Sequence, residues 1–143
     1  MIGGHPLTRV AVLAIAVAFV AGCATRPVTT VTISGESWDL LEGGQDGMRG
    51  LDGFSGADGM LFRFDDDTDP DFVGWVMDGV GFPLDIAWFD GDGVLLGTAT
   101  MPMCPAEPCP VHRAPAPYRW AVETPVGAFD GLPPDAVLVV PPD

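Results

Sequence analysis

Glycine and proline punctuate this chain so densely that nothing beyond residue 23 leaves room for a long helix. The 143 residues include 19 glycines and 15 prolines. Residues 42–58 hold glycines at 43, 44, 47, 50, 53 and 56. A glycine in a helix interior costs about 1 kcal/mol relative to alanine, and a proline about 3. No window of this region repeats its apolar residues with a helical period. Short β-type runs separated by Gly, Pro and Asp clusters remain. They are Val31–Ile33, Trp38–Leu41, Gly59–Phe64, Phe72–Met77, Phe82–Phe89, Val94–Thr100, Tyr118–Glu123 and Ala136–Val140. Asp90-Gly91-Asp92-Gly93 predicts a tight reversal, because Asp and Gly tolerate the left-handed backbone of hairpin turns. One irregular turn is expected at Asp46–Leu51 and one short helical turn at Val126–Leu132. The predicted class is all-β: a small β-sandwich or partly open β-barrel.

The first 23 residues have a different character. Val10 to Val20 is an unbroken run of small or hydrophobic side chains, closed by Ala21-Gly22-Cys23. A membrane-spanning helix needs about 20 apolar residues. A signal-peptide core needs only about 7–15. Val20-Ala21-Gly22-Cys23 resembles the lipobox of bacterial lipoproteins, in which the chain is cut before the cysteine and the thiol carries a diacylglycerol anchor. The resemblance implies a signal peptide over 1–22, a lipidated Cys23 with a tether through residue 30, and a β-domain over 31–143. The expected location is extracytoplasmic, lipid-anchored to the cell membrane or outer membrane.

Removing residues 1–22 also removes Arg9, leaving five arginines, no lysine and all 20 acidic residues. The formal charge of the mature chain is then near −15, against −14 for the whole sequence. So acidic a surface is repelled by nucleic acid, which is excluded as a partner. With Cys23 acylated, Cys104 and Cys109 remain as a pair that persists as a disulfide outside the cytoplasm. A redox-active pair and a metal site formed with His112 stay open. The spacing is wider than the C-x-x-C redox motif, and the metal site lacks a fourth ligand.

Other residues could carry chemistry. Asp85 lies inside Phe82-Pro83-Leu84-Asp85-Ile86-Ala87-Trp88-Phe89, where a carboxylate must be hydrogen-bonded, paired or protonated. It is either a general acid/base with a raised pKa, or an acceptor for backbone N–H groups or a partner for Arg49 or Arg63. Asp65, Asp67, Asp69 and Asp71 alternate as oxygen ligands do in calcium loops. An EF-hand register from Asp65 would need Gly at its sixth position and Glu at its twelfth, where Pro70 and Val76 stand. Among the four tryptophans, Trp38 and Trp120 stand beside polar residues and are the candidates for an exposed glycan-stacking surface. No nucleophile elbow, phosphate-cradling loop or basic patch is found. No cofactor is implied.

An ordered set of short motifs spans residues 49–140. It comprises Arg49-Gly50-Leu51, Gly59-Met60-Leu61-Phe62-x-Phe64, Met77, Pro83-Leu84-Asp85-Ile86-x-x-Phe89-Asp90, Gly93-Val94, Met103-Cys104-Pro105-x-x-Pro108-Cys109-Pro110, Glu123 and Gly127. This set resembles the DUF192 family of exported bacterial and archaeal proteins. The resemblance implies a small β-rich domain, frequently exported, and brings no reaction or ligand with it. Members of that family usually carry Met-Lys-Asn-Thr where this chain has Met77-Asp78-Gly79-Val80, and a tyrosine at the position of His112. The family's polar patch is thus altered here, and Asp78 becomes a ligand-binding candidate of changed charge. The expectation is a membrane-anchored accessory or binding domain of the cell envelope, contacting a ligand, glycan or envelope protein. The competing expectations are an envelope enzyme of hydrolase type using Asp85, and a redox or metal role for the Cys104–Cys109 loop.

Overall fold

The structure, a computed structural model, describes residues 25–143. The expected signal peptide at 1–22 and the expected lipidation at Cys23 fall outside the described residues. Seven strands follow in order: β1 Val28–Ile33, β2 Glu36–Glu42, β3 Gly59–Thr68, β4 Leu84–Phe89, β5 Leu95–Met101, β6 Tyr118–Pro125 and β7 Leu138–Val139. No helix occurs among the described residues.

The strands form one sheet in the order β5-β4-β6-β3-β2-β1-β7. All neighbours are antiparallel except β2 and β3, which run parallel. The two ends of this order approach each other. Val94 and Val137 form an antiparallel bridge. Leu95 N–H donates to the Ala136 carbonyl at 2.9 Å, and Leu138 N–H to the Gly93 carbonyl at 2.7 Å. The sheet is therefore curled into a partly closed barrel, which covers its edges.

Period-2 alternation divides the side chains between two cores. Val31, Ile33, Leu40, Leu61, Ala87, Phe89, Val122 and Leu138 form the core enclosed by the curl. Met60, Phe62, Ile86, Trp88 and Ala121 point to the other face. There they are covered by Met48, Phe54, Met77 and Met101 from the connections and from β5. The central strands are buried on both faces, as all six residues of β4 illustrate.

Several sequence expectations need correction. Strand β1 begins at Val28 rather than Val31, because Val28, Thr29 and Thr30 pair with Leu41, Leu40 and Asp39. Residues 28–30, expected to precede the β-domain, are thus part of its sheet. Phe72–Met77 is not a strand. It crosses the outer face as an irregular segment, held by reciprocal backbone hydrogen bonds of 2.8 Å between Trp75 and His112. Phe72 is left 87% exposed. Residues 126–132 make successive turns rather than a helical turn, since Gly127 and Gly131 take positive φ of 95° and 83°. Strand β3 runs on through Asp65, Asp66 and Asp67 to Thr68, which pairs with Tyr118 past an irregularity. Asp65, Asp66 and Asp67 lie within that irregularity, with their side chains exposed to solvent.

The turn at 90–93 forms as expected. One Asp90 side-chain oxygen accepts from the N–H groups of both Asp92 and Val94, each at 2.9 Å. Gly93 has φ +80°, and a Cβ there would strike the carbonyl oxygen of Leu138. Gly91 has no positive φ, and its nearest neighbour, an Arg119 carbon, would be 3.5 Å away. Gly93→Ala should therefore lower stability by about 2–3 kcal/mol, from strain plus a weakened closure. Gly91→Ala should change it by no more than about 0.5 kcal/mol. Urea unfolding of both variants checks this contrast.

Candidate functional site

The site lies on the outer face of the sheet. Its floor comes from β3 and β6, one rim from the turns at 43–49 and the other from the crossing segment at 73–80. Together they line a cleft of about 440 Å³. Gly43 lets the first rim lie directly on the sheet: its N–H donates to the Leu61 carbonyl at 2.7 Å, and a Cβ there would be 2.6 Å from the Phe62 ring. The rims meet at Arg49. This side chain ion-pairs with Asp78 at 3.3 Å and donates to the Asp78 carbonyl at 3.2 Å. The Gly50 N–H donates to the Gly79 carbonyl at 3.0 Å. Gly79 has φ +72° and would place a Cβ 2.7 Å from Arg49. A bulkier residue there would disturb the junction.

Aromatic rings form the walls. Phe62 and Trp75 meet edge to face at 4.8 Å, and Phe64 and Trp75 at 6.4 Å. The Trp75 indole N–H donates to the Tyr118 hydroxyl at 3.0 Å, which fixes its orientation. Burial pushes the Tyr118 phenol up, and the hydrogen bond with Trp75 offsets part of that.

Glu123 lines the same cleft. Pairing places Met60 on one side of it and Ile86 on the other, both fully buried. Glu123 is 5% exposed, and its Oε2 has no hydrogen-bond partner among the described residues. Desolvation raises its pKa to about 7. A buried acceptor without a partner is uncommon in folded proteins and calls for a specific explanation. Nothing in the local sequence singles out Glu123 as a site residue. Its apolar surroundings come from β3 and β4, so no local run of sequence marks them.

Both arginines lining the cleft are already paired. Arg63 grips Glu42 with a two-pronged contact, Nη2 at 2.7 Å and Nε at 3.1 Å. Its guanidinium also lies 5.8 Å over Trp120. Burial pushes Glu42 up, but hydrogen bonds from Arg63 and Thr29 and the Arg63 charge outweigh it, holding the carboxyl below its ordinary value.

Asp85 sits elsewhere. It points to the face opposite Glu123, since Asp85 pairs with Thr124 while Ile86 pairs with Glu123. One of its oxygens accepts from the Thr100 hydroxyl at 2.6 Å and the other from the Gly127 N–H at 2.8 Å. It is thus an acceptor that anchors the turn after β6. Neither Arg49 nor Arg63 is its partner. Asp85 and Glu123, on opposite faces, cannot share a substrate.

Of the ligand-binding candidates, Asp78 lines the cleft. Trp38 instead packs on Phe129 at 5.8 Å, and Trp120 lies under Arg63. Both are half-buried and together form no open platform. Asp65 and Asp67 stand on β3, whereas Asp69 and Asp71 lie in the following turn. Asp67 binds Arg119 at 3.0 Å, and Asp69 accepts from the Asp71 N–H at 2.9 Å. Among the described residues these four do not converge as a ligand set. Cys104 and Cys109 are joined as a disulfide, with Cα atoms 5.5 Å apart. Their sulfurs are therefore not free to act as thiolate ligands with His112.

Residues 28–138 match the family model of DUF192, described as "Uncharacterized ACR". The chain belongs to this family. A search of curated proteins returns no match. The fold resembles the crystal structure of a "putative transcription regulator" from Sinorhizobium meliloti 1021. That likeness has a TM-score of 0.66 and 20% identity over 83% of this chain and 98% of that one. It also resembles a protein of unknown function from Novosphingobium aromaticivorans DSM 12444, with a TM-score of 0.65 and 17% identity over 82% of this chain and 88% of that one. At these identities the likeness is one of fold.

The raised pKa of Glu123 has a consequence for stability. Between its ordinary value of 4.5 and about 7, the folded state holds a proton that the unfolded state has released. Its contribution is therefore fully present below pH 4.5 and is lost as pH rises through 7. Glu123→Gln should gain stability relative to the parent by roughly 3 kcal/mol between pH 4.5 and 8. Urea unfolding of both proteins across this range measures the difference. A constant offset would contradict the assignment.

Proposed function

We propose that this member of the DUF192 family is a non-enzymatic accessory domain of the cell envelope, anchored by lipid at Cys23, whose outer-face cleft binds a small molecule. The observation that carries the binding role is Glu123: a buried residue, 5% exposed, whose carboxyl is unpartnered at Oε2 and lines an aromatic-walled cleft. A volume of about 440 Å³ falls in the usual range for small-ligand sites, roughly 300–1,000 Å³. Apolar walls with a few convergent polar groups match the usual anatomy of such sites. An acid–base role for Asp85 has no comparable support, because both its oxygens serve Thr100 and Gly127.

Support for the anchor comes from Val20-Ala21-Gly22-Cys23 and the apolar run before it. With β1 starting at Val28, only residues 24–27 separate Cys23 from the sheet. Four extended residues reach roughly 14 Å. The domain would sit directly on the membrane surface, and a protein or glycan partner would have to approach it there. Net negative charge would help to hold the domain off anionic headgroups.

Two outcomes test this function. Cys23→Ala should move the protein from the membrane fraction to the soluble extracytoplasmic fraction. Unchanged membrane retention would contradict lipid anchoring. Small-molecule probes of mixed charge, added to the ¹⁵N-labelled protein, should produce saturable shifts at the Trp75 indole and not at those of Trp38 and Trp120. Absence of any saturable shift at Trp75 would remove the binding role.

A further inference from the structure

We propose that the ligand taken by this cleft is an organic cation, an ammonium or amine carried on a compact apolar body, with Glu123 as its counter-ion. The inference rests on the small-molecule role proposed above and specifies the chemical class. Three observations combine. First, Glu123 is a carboxyl group between Met60 and Ile86 whose Oε2 has no donor. An ionised carboxylate in such a place is stabilised only by a cation or by several donors.

Second, the protein's own cations at the cleft are spent elsewhere. Arg63 is forked onto Glu42 and also lies 3.5 Å from Asp143. Arg49 is held by the side chain and carbonyl of Asp78. Asp46 adds a further acid to the lining. The cleft thus carries three carboxyl groups against two guanidinium groups, both of them already paired. An anionic ligand would meet repulsion, and a cationic one would find Glu123 unclaimed. The charge of −14 on the whole chain raises the local concentration of cations in the same direction.

Third, the walls suit the body of such a ligand. Phe62, Phe64 and Trp75 line the cleft beside Glu123. Aromatic rings attract ammonium groups through their quadrupoles and bury an attached apolar group without needing hydrogen bonds. Val73 and Val76 continue this apolar surface to the rim.

No bond is made or broken. The event is an ion pair, accompanied by loss of whatever proton Glu123 carries. The titratable and charged groups around it are Asp46 and Arg49 on one rim and Asp78 on the other. Arg63 lies on β3, and Tyr118, on β6, is bonded to Trp75. None of the hydrogen bonds of these groups goes to Glu123 Oε2.

Three probes of one shape separate the possibilities: phenethylamine, 2-phenylethanol and phenylacetate, added to the full-length protein in detergent near pH 7. The amine should shift the Trp75 indole signal saturably, at least tenfold more tightly than the alcohol, with no saturation by the carboxylate. Calorimetry in two buffers of different ionisation enthalpy should show proton release for the amine alone. Glu123→Gln should weaken the amine at least tenfold and leave the alcohol within twofold. If that variant fails to fold, the probe series on the parent decides by itself. Equal or tighter binding of the alcohol or the carboxylate would overturn the cation assignment while leaving small-molecule binding intact. No saturable shift with any probe would overturn both.

Discussion

Strand β6 hydrogen-bonds along both edges, to β3 on one side and β4 on the other, and each of its faces lies in a different core. Val122 points into the enclosed core, while Ala121 and Glu123 point to the outer face. A position between two paired strands and under covering loops is the least hydrated environment a small β-domain offers. A carboxyl group there costs free energy whether it is charged or protonated without a partner. The rest of the site is arranged around this position. The connections at 43–50 and 73–80 cover the outer face on either side of it and leave a cleft leading in. The curl of the sheet supplies the rigid floor.

The ion pairs near the cleft make sense on the same terms. Arg63 and Glu42 join adjacent strands β3 and β2, and Thr29 on β1 contributes a further hydrogen bond to Glu42. Arg49 and Asp78 join the two rims. Exposed pairs of the second kind contribute little stability. Their larger effect is on the field inside the cleft, because both guanidinium groups that line it are already paired with carboxylates. Asp85 offers a contrast with the same chemical group. It is almost as buried at 7% exposure, yet a hydroxyl and a backbone N–H satisfy it. One buried acid is built into the scaffold, and the other is left available.

How far the sequence alone reached follows the distance over which each feature is determined. The reversal at 90–93 depends on its own four residues and was legible in full. The all-β class followed from the spread of Gly and Pro. Asp85 stood out because its apolar neighbours are adjacent in sequence, and its scaffold role was among the readings. Glu123 did not stand out, because its neighbours Met60 and Ile86 come from strands 63 and 37 positions away in the chain. The segment 72–77 carries strand-forming residues but lacks a partner strand, so it crosses the face instead and places Trp75 over the cleft. The alternating acids from Asp65 to Asp71 resemble a calcium loop in sequence, but Asp65 and Asp67 stand on β3 and Asp69 and Asp71 beyond it. The run from Asp65 to Asp67 stays within β3, between its last regular pair with β6 at Arg63 and the pair at Thr68, and its exposed carboxylates reflect the polar sequence.

A direct titration of Glu123 tests the central claim that this group is buried, unpartnered and held for a ligand. The side-chain carboxyl carbon can be followed by ¹³C NMR from pH 4 to pH 9 in the ligand-free protein. The structure predicts a midpoint near 7, well above the ordinary 4.5, because burial between Met60 and Ile86 disfavours the charge. A midpoint at or below 4.5 would show that Glu123 is solvated or already paired, and the account of the site would not survive it.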